Sequence, residues 1–239
     1  MAETAPEAAS GEAPGIGTLN EKSLHAALKA WYAEPGDRFE VAVEGYVIDI
    51  VRGDLLVEIQ TRNFTAIRRK LVALTASHRV RLVYPVAQEK WIVRVAQDGG
   101  GRLSRRKSPK RGTVAQVFDE LVRIPQLLAA ANFSIDVVLI REEEIRRYDA
   151  KRGWRRKGWV THERRLLEVV DRQRFVTPAD LCALLPDALA GPFTTADLAA
   201  VMGAPRRLAQ RMAYCLRALD AITPVGKRGH AILYERSAR

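Results

Sequence analysis

The spacing of apolar residues along the chain changes period several times, and each change marks a new element. Residues 1–15 are rich in Ala, Glu, Pro and Gly, with too little large apolar surface to offset the entropy of ordering them, which predicts a disordered tail. After Thr18, Leu24, Leu28 and Trp31 recur at helical spacing, and Pro35-Gly36 ends the run. Phe39, Val41 and Val43 alternate with polar residues, and runs from Tyr46 to Val51 and from Leu55 to Gln60 follow, separated by Arg52-Gly53-Asp54, which reads as a strand meander. Asn63 is placed to cap a second helix that carries Ile67, Leu71 and Leu74 on one face and Arg68, Arg69 and Lys70 on the others. Strands at Val80–Tyr84 and Trp91–Val95, a helix over Val114, Val117, Phe118 and Leu121, and a strand at Ile135–Ile140 complete a mixed α/β domain.

Two stretches interrupt this pattern with charge. Residues 97–112 hold Gly99, Gly100 and Gly101, then Arg102, Arg105, Arg106, Lys107, Lys110 and Arg111, which predicts an exposed, mobile cationic loop. Arg146 to Lys157 is cationic again, and 151–159 is expected to be a linker. Glu142, Glu143 and Glu144 stand in a row and read as the solvated start of a helix. From Val160 the spacing turns helical, through Leu166, Val169 and Val170 to Leu208, Met212, Cys215 and Leu219, and Ile222–Tyr234 closes the chain as a hairpin. The expected organisation is a tail (1–15), an α/β domain (16–150), a linker (151–159) and an α-rich domain (160–239).

Charge narrows the function. The chain carries 39 Lys and Arg against 28 Asp and Glu, a formal charge of +11, and such a field concentrates polyanions, nucleic acid first among them. Its 2 cysteines, Cys182 and Cys215, sit in apolar helical patterns, which argues against a disulfide framework or a thiolate zinc site. His25, His78, His162 and His230 show no metal-ligand spacing and read as surface or capping residues. The N-terminus lacks the pattern of a signal peptide and no apolar run is long enough to span a membrane, so a cytoplasmic location without a membrane partner is expected.

The chemistry concentrates in Tyr46–Gln60. With Gly53-Asp54 as a two-residue type II′ turn, Arg52 pairs with Leu55 and Asp49 lies opposite Glu58. Alternation then sets Val47, Asp49 and Val51 on one face with Leu56, Glu58 and Gln60, and Ile48, Ile50, Leu55, Val57 and Ile59 on an apolar face. Two like charges facing each other among apolar neighbours repel, so a cation belongs between them. Mg²⁺ or Mn²⁺, Arg62, Lys70 and a shared proton are the alternatives.

These residues and the order of elements from Thr18 to Tyr84 resemble the PD-(D/E)XK, or restriction-endonuclease-like, nuclease superfamily. In that family an acid on the second strand and an acid-x-Lys or acid-x-Gln on the third hold a metal ion, and here Asp49 and Glu58-Ile59-Gln60 match. The resemblance implies a restriction-endonuclease-like mixed sheet flanked by helices, with Asp49, Glu58 and the carbonyl of Ile59 as metal ligands. It further implies Gln60 orienting an attacking water, and Glu21 as an outer acid. Glu21 also fits a capping box, Thr18-Leu19-Asn20-Glu21, in which it caps its own helix. No Pro precedes Asp49, and Gln60 replaces the commoner Lys, a charge that Lys70 is placed to restore. Arg62, Arg68 and Arg69 would contact phosphates.

At the other end, Thr194–Leu198 starts a helix, Gly203-Ala204-Pro205 turns, and Arg206–Asp220 forms a second helix, which is helix-turn-helix spacing with the final hairpin as a wing. Arg206, Arg207, Gln210, Arg211 and Tyr214 are expected outside, facing a major groove, with Lys227 and Arg228 at the wing tip and Arg105, Arg106 and Lys107 adding phosphate contacts. The composite expectation is a Mg²⁺-dependent endonuclease that binds double-stranded DNA through a winged helix. The competing reading is a non-catalytic regulator on the same fold, and homodimerisation through the winged helix stays open.

Overall fold

The structure is a computed structural model that describes residues 19–96, 101–149, 151 and 158–237, with side chains from residue 23 onward. The predicted tail and most of the predicted linker lie outside the described residues. Helix α1 (Leu19–Tyr32) leads into strands β1 (Arg38–Val43), β2 (Tyr46–Arg52) and β3 (Leu55–Ile59), an antiparallel meander. Helix α2 (Phe64–Thr75) crosses over and returns the chain as β4 (Arg79–Val95), parallel to β3. The remaining strands are β5 (Arg102–Lys107), β6 (Phe133–Tyr148) and β7 (Trp159–Phe175), and the row runs β1-β2-β3-β4-β6-β7, with β5 paired to β4. Between β5 and β6 lie a 3₁₀ turn (Val114–Val117), a single helical turn α3 (Phe118–Leu121) and a second 3₁₀ turn (Pro125–Ala129). The sheet is mixed and flanked by helices.

On α1 the buried stripe is Leu24, Leu28 and Tyr32, spaced four apart, and Trp31 turns outward. These side chains cover Ile50, Leu55, Val57, Ile59, Val83, Val138 and Ile140 on one face of the sheet. The opposite face packs Val51, Leu56 and Leu82 beneath Phe64, Leu71 and Leu74 of α2. Ile48, predicted with Ile50, belongs to this second cluster, because the β2–β3 ladder ends at Ile50↔Val57 and β2 is free to turn beyond it.

Several expectations change once pairing is visible. The two strands predicted at Val80–Tyr84 and Trp91–Val95 are one strand of 17 residues, because β6 pairs along it through the polar stretch, with a register shift between Ala87 and Glu89. The helix predicted from Val160 is strand β7, hydrogen-bonded to β6. Register shifts between Leu139 and Ile140 and between Arg141 and Glu142 each insert an extra residue, so Leu166, Val169 and Val170 lose the period of two that marks a strand. The predicted linker is therefore the connection between paired strands, and the boundary placed at residue 160 falls inside the sheet. Residues 102–107 of the predicted mobile loop form β5, whose Arg105 and Lys107 lie over the Trp91 ring at 5.0 and 5.2 Å.

Glu142–Glu144 are in β6, not at a helix start. Glu142 is fully buried against Arg164 (2.6 Å) and Lys90 (2.9 Å), and Glu144 meets Lys90 (3.0 Å), Arg146 (2.7 Å) and Thr161 (2.9 Å). Burial opposes ionisation of Glu144, but Lys90, Arg146 and Thr161 outweigh it and hold the carboxyl down to about 2. Its folded-state value lies below the ordinary 4.5, so the stability it contributes is present above pH 4.5 and disappears as pH falls toward 2. Glu144→Gln is expected to flatten the fall in melting temperature between pH 5 and 3, removing on the order of 2 kcal/mol of pH-dependent stability. An unchanged acid limb in calorimetry would remove Glu144 from that role.

The C-terminal part comprises α4 (Pro178–Cys182), α5 (Thr195–Met202), α6 (Arg206–Ala218) and the hairpin β8 (Ile222–Arg228) and β9 (Ala231–Arg236). Thr177 with Asp180 and Thr194 with Asp197 form capping boxes at the starts of α4 and α5. Asn63, by contrast, makes no side-chain cap on α2, and Glu120 Oε2 accepts the Phe64 amide instead, at 3.1 Å. Leu208, Met212, Cys215 and Leu219 are buried as expected, and they join Phe118, Leu121 and Phe175 in one continuous core. No helix among the described residues is long and apolar enough to cross a membrane.

Candidate active site

The β2–β3 hairpin closes through Gly53 with φ +57°, and Arg52 pairs with Leu55 and Val51 with Leu56. The ladder ends at Ile50↔Val57, and Asp49 and Glu58 follow it on the two strands, buried at 9% and 8% exposure and close enough to act on each other electrostatically. Asp49 Oδ2 accepts the Ile59 amide at 2.7 Å and lies 3.1 Å from His25 Nε2 on α1. Glu58 Oε2 lies 2.5 Å from Lys70 Nζ on α2, and that ammonium also donates to the Val47 carbonyl at 2.5 Å. A helix from each face of the sheet thus sends one side chain to one carboxylate.

The electrostatics of the pair are asymmetric. Burial opposes ionisation of Asp49, but the bonds from His25 and the Ile59 amide hold it below the usual carboxylate range. Burial and the neighbouring Asp49 charge push Glu58 up to about 7, against the pull of Lys70. The hydrogen bond to Asp49 raises His25 above its ordinary value. Two buried acids thus meet one ammonium, Lys70, and one imidazole whose protonated form Asp49 favours.

Of the residues singled out from sequence, Asp49, Glu58 and Lys70 converge. Gln60 does not join them, since its Nε2 donates to the Arg62 (2.6 Å) and Asn63 (3.2 Å) carbonyls and holds the β3–α2 turn. It is the Ile59 amide that is tied to the pair. Glu21 lies on α1, but its side chain falls outside the described residues. Arg62, Arg68 and Arg69 are exposed near α2. His25, read from sequence as a surface or capping residue, is in the site. Its signal was its place beside Leu24 on the face of α1 that meets the sheet.

The cationic residues of the second half divide. Arg206, Arg207, Gln210 and Tyr214 are exposed on α6, and Arg206, Gln210, Tyr214, Arg217 and His230 border a groove of about 320 Å³ between α6 and the hairpin. Arg211, expected outside, points inward and donates to the Asp119 carboxylate and, at 3.2 Å, to its carbonyl, because α6 packs on α3. Lys227 is exposed, whereas Arg228 is drawn back onto Asp197 and Thr194. Arg105 pairs with Glu143 (2.7 Å) and Lys107 with Glu89 (2.9 Å), while Arg106 has no ion pair among the described residues.

No solved structure matches the chain. A curated relative from Treponema pallidum (strain Nichols), described as "Uncharacterized protein", is 35% identical over 223 residues, covering 92% of this chain and 87% of the relative. A family model matches residues 22–176, the stretch from α1 through β7 that contains His25, Asp49, Glu58 and Lys70. The chain therefore belongs to the family described as "Domain of unknown function (DUF8091)".

Proposed function

We propose that this protein is a divalent-metal-dependent nuclease that cuts double-stranded DNA. The observation that carries the reading is the meeting of Asp49, Glu58 and Lys70 at the open end of the β2–β3 ladder, two acids and an ammonium from three consecutive elements. The surrounding order, helix, antiparallel meander, crossing helix and a fourth strand parallel to the third, supports the reading because it is the order expected of a restriction-endonuclease-like core. The three C-terminal helices and hairpin follow the order of a winged helix, with the outer face of α6 cationic.

The residues fit a hard cation. Asp49 Oδ1 and Glu58 Oε1 have no hydrogen bond among the described residues, which leaves one oxygen of each carboxylate for a cation. No cluster of three or more His, Cys, Asp or Glu converges among the described residues. A site of two carboxylates, with the Ile59 carbonyl and water completing the shell, suits Mg²⁺, which keeps several waters. Held there, Mg²⁺ or Mn²⁺ would acidify a bound water and stabilise the charge that develops on phosphorus. The protein's own groups do the rest: the Ile59 amide and His25 fix the Asp49 carboxylate, and Lys70 offsets the charge of Glu58.

Plasmid nicking in Mg²⁺ or Mn²⁺, compared among wild type, Asp49→Ala and Glu58→Ala, tests the reading. DNA bound by all three proteins and cut by none would support the non-catalytic alternative, which the diversion of Gln60 into the turn favours. Binding should be tested separately. Joint replacement of Arg206 and Lys227 by Ala is expected to weaken duplex binding and reduce the slope of log K against log salt by about 2, one per lost phosphate contact. An unchanged slope would exclude α6 and the hairpin tip from the interface.

A further inference from the structure

Strand β3 stops at Ile59, and β5 takes up the same edge of β4 only from Trp91 onward. Between them β4 runs past Tyr84 and Pro85 with that edge unclaimed by a strand, and the segment Ser108–Gly112 folds over it, held by the Ser108 amide on the Lys90 carbonyl (2.8 Å) and the Gly112 amide on the Ala87 carbonyl (3.0 Å). The gap is a cleft of about 660 Å³, the size of a small-ligand site. Gly112 is required for this closure, since a Cβ there would lie 2.8 Å from Val86 Cγ1 and closer still to the Ala87 carbonyl.

The cleft is lined by Lys90, Arg106, Lys110, Arg111, Arg146 and Arg164, against one lining carboxylate, Glu144. Lys90, Arg146 and Arg164 are committed to Glu144 and Glu142, and Arg111 to Glu89. Arg106 and Lys110, both exposed, have no ion pair among the described residues. Two further wall groups, the Tyr84 hydroxyl and the side-chain carboxamide of Gln116, have no hydrogen-bond partner among the described residues. Burial, with Glu120 and Asp119 nearby, raises the Tyr84 phenol above its ordinary value, so it stays a donor. Free cations and directed donors around a nucleotide-sized space describe a receptor for phosphate.

The cleft is bounded along β4 by Thr61 just beyond the end of β3 and by β5. Tyr84 also stands two residues along β4 from Leu82, the ladder partner of Glu58, so it shares a sheet face with Glu58, roughly 7 Å further along the strand. We propose that this cleft binds the terminal phosphate monoester of a nucleotide, carried on the end of a nucleic-acid strand or on a free mononucleotide. A dianionic terminus offers two unpaired cations more charge than a bridging diester does. The site does not depend on Asp49 or Glu58 being catalytic.

The test is fluorescence anisotropy of the full chain in EDTA, with a 3′-labelled octanucleotide bearing either a 5′-phosphate or a 5′-hydroxyl. Wild type and Asp49→Ala should bind the phosphorylated form at least tenfold more tightly. Joint Arg106→Ala and Lys110→Ala should abolish the preference without shifting the melting temperature, and Tyr84→Phe should reduce it several-fold. Competition with adenosine monophosphate separates the two sources: displacement at the concentration of unlabelled octanucleotide identifies a free nucleotide, and failure to displace identifies a strand end. Equal binding of the two octanucleotides by wild type, or a preference that survives the double substitution, overturns the proposal. Because the readout is metal-free binding, its failure would leave the nuclease reading untouched, and loss of cleavage alone would leave the cleft untouched.

Discussion

Asp49→Ala and Glu58→Ala are each expected to reduce DNA cleavage by about 10²–10³-fold, the usual loss when a preorganised electrostatic partner of the transition state is removed. If the two carboxylates act on one centre, as proposed, the double variant should be scarcely worse than either single one. Lys70→Met should fall in the same range, since it removes the ammonium that lies against Glu58 and leaves two buried acids to repel each other. His25→Ala should cost less, about 10-fold or somewhat more, because it acts by holding the Asp49 carboxylate. Duplex binding in EDTA should survive in all four. Cleavage that persists in Asp49→Ala at the wild-type rate would place the chemistry elsewhere or nowhere.

Phe118→Ala is expected to have the largest effect on stability. Phe118 is fully buried on α3, within the core that joins the sheet to the C-terminal helices, and removing a ring from such a site costs about 3–5 kcal/mol. For a chain of this size that corresponds to a fall of roughly 10 °C in melting temperature. The transition should stay single, because Phe118, Phe175, Leu208 and Met212 occupy one cluster and neither half keeps its interior without the other. Val72→Ala, on the exposed side of α2, should shift stability by less than about 0.5 kcal/mol. Two separate transitions in the wild type would contradict the shared core.

What could be read from sequence was what is encoded within a few residues. Gly53 fixes the turn, the turn fixes the register, and the register brings Asp49 near Glu58, so the acidic pair is visible without any tertiary information. Lys70 was visible for a similar reason, lying on the helix that directly follows β3. His25 was not, because its approach to Asp49 depends on how α1 lies across the sheet, which helical spacing does not specify. Gln60 was misplaced because chain position says nothing about the carbonyls of Arg62 and Asn63 that claim its amide. Strand β7 was hidden by its bulges, and Glu142 and Glu144 by cations from three different strands. The apolar faces of α3 and α6 were legible as buried, though not as buried against each other, and Arg211 was misassigned for that reason.

The interior shared by the sheet and α6 has a mechanical consequence. A protein with a linker can swing its binding module until both contacts are made, but here the inner face of α6 is embedded in the same packing as Phe118, and Arg211 pins it to Asp119. The exposed arginines of that helix and the carboxylates of the hairpin are thus held at one fixed separation and angle, like the jaws of a caliper locked at a single setting. Any helical ligand that touches both must itself do the bending, and pliable sequences would be gripped more readily than stiff ones.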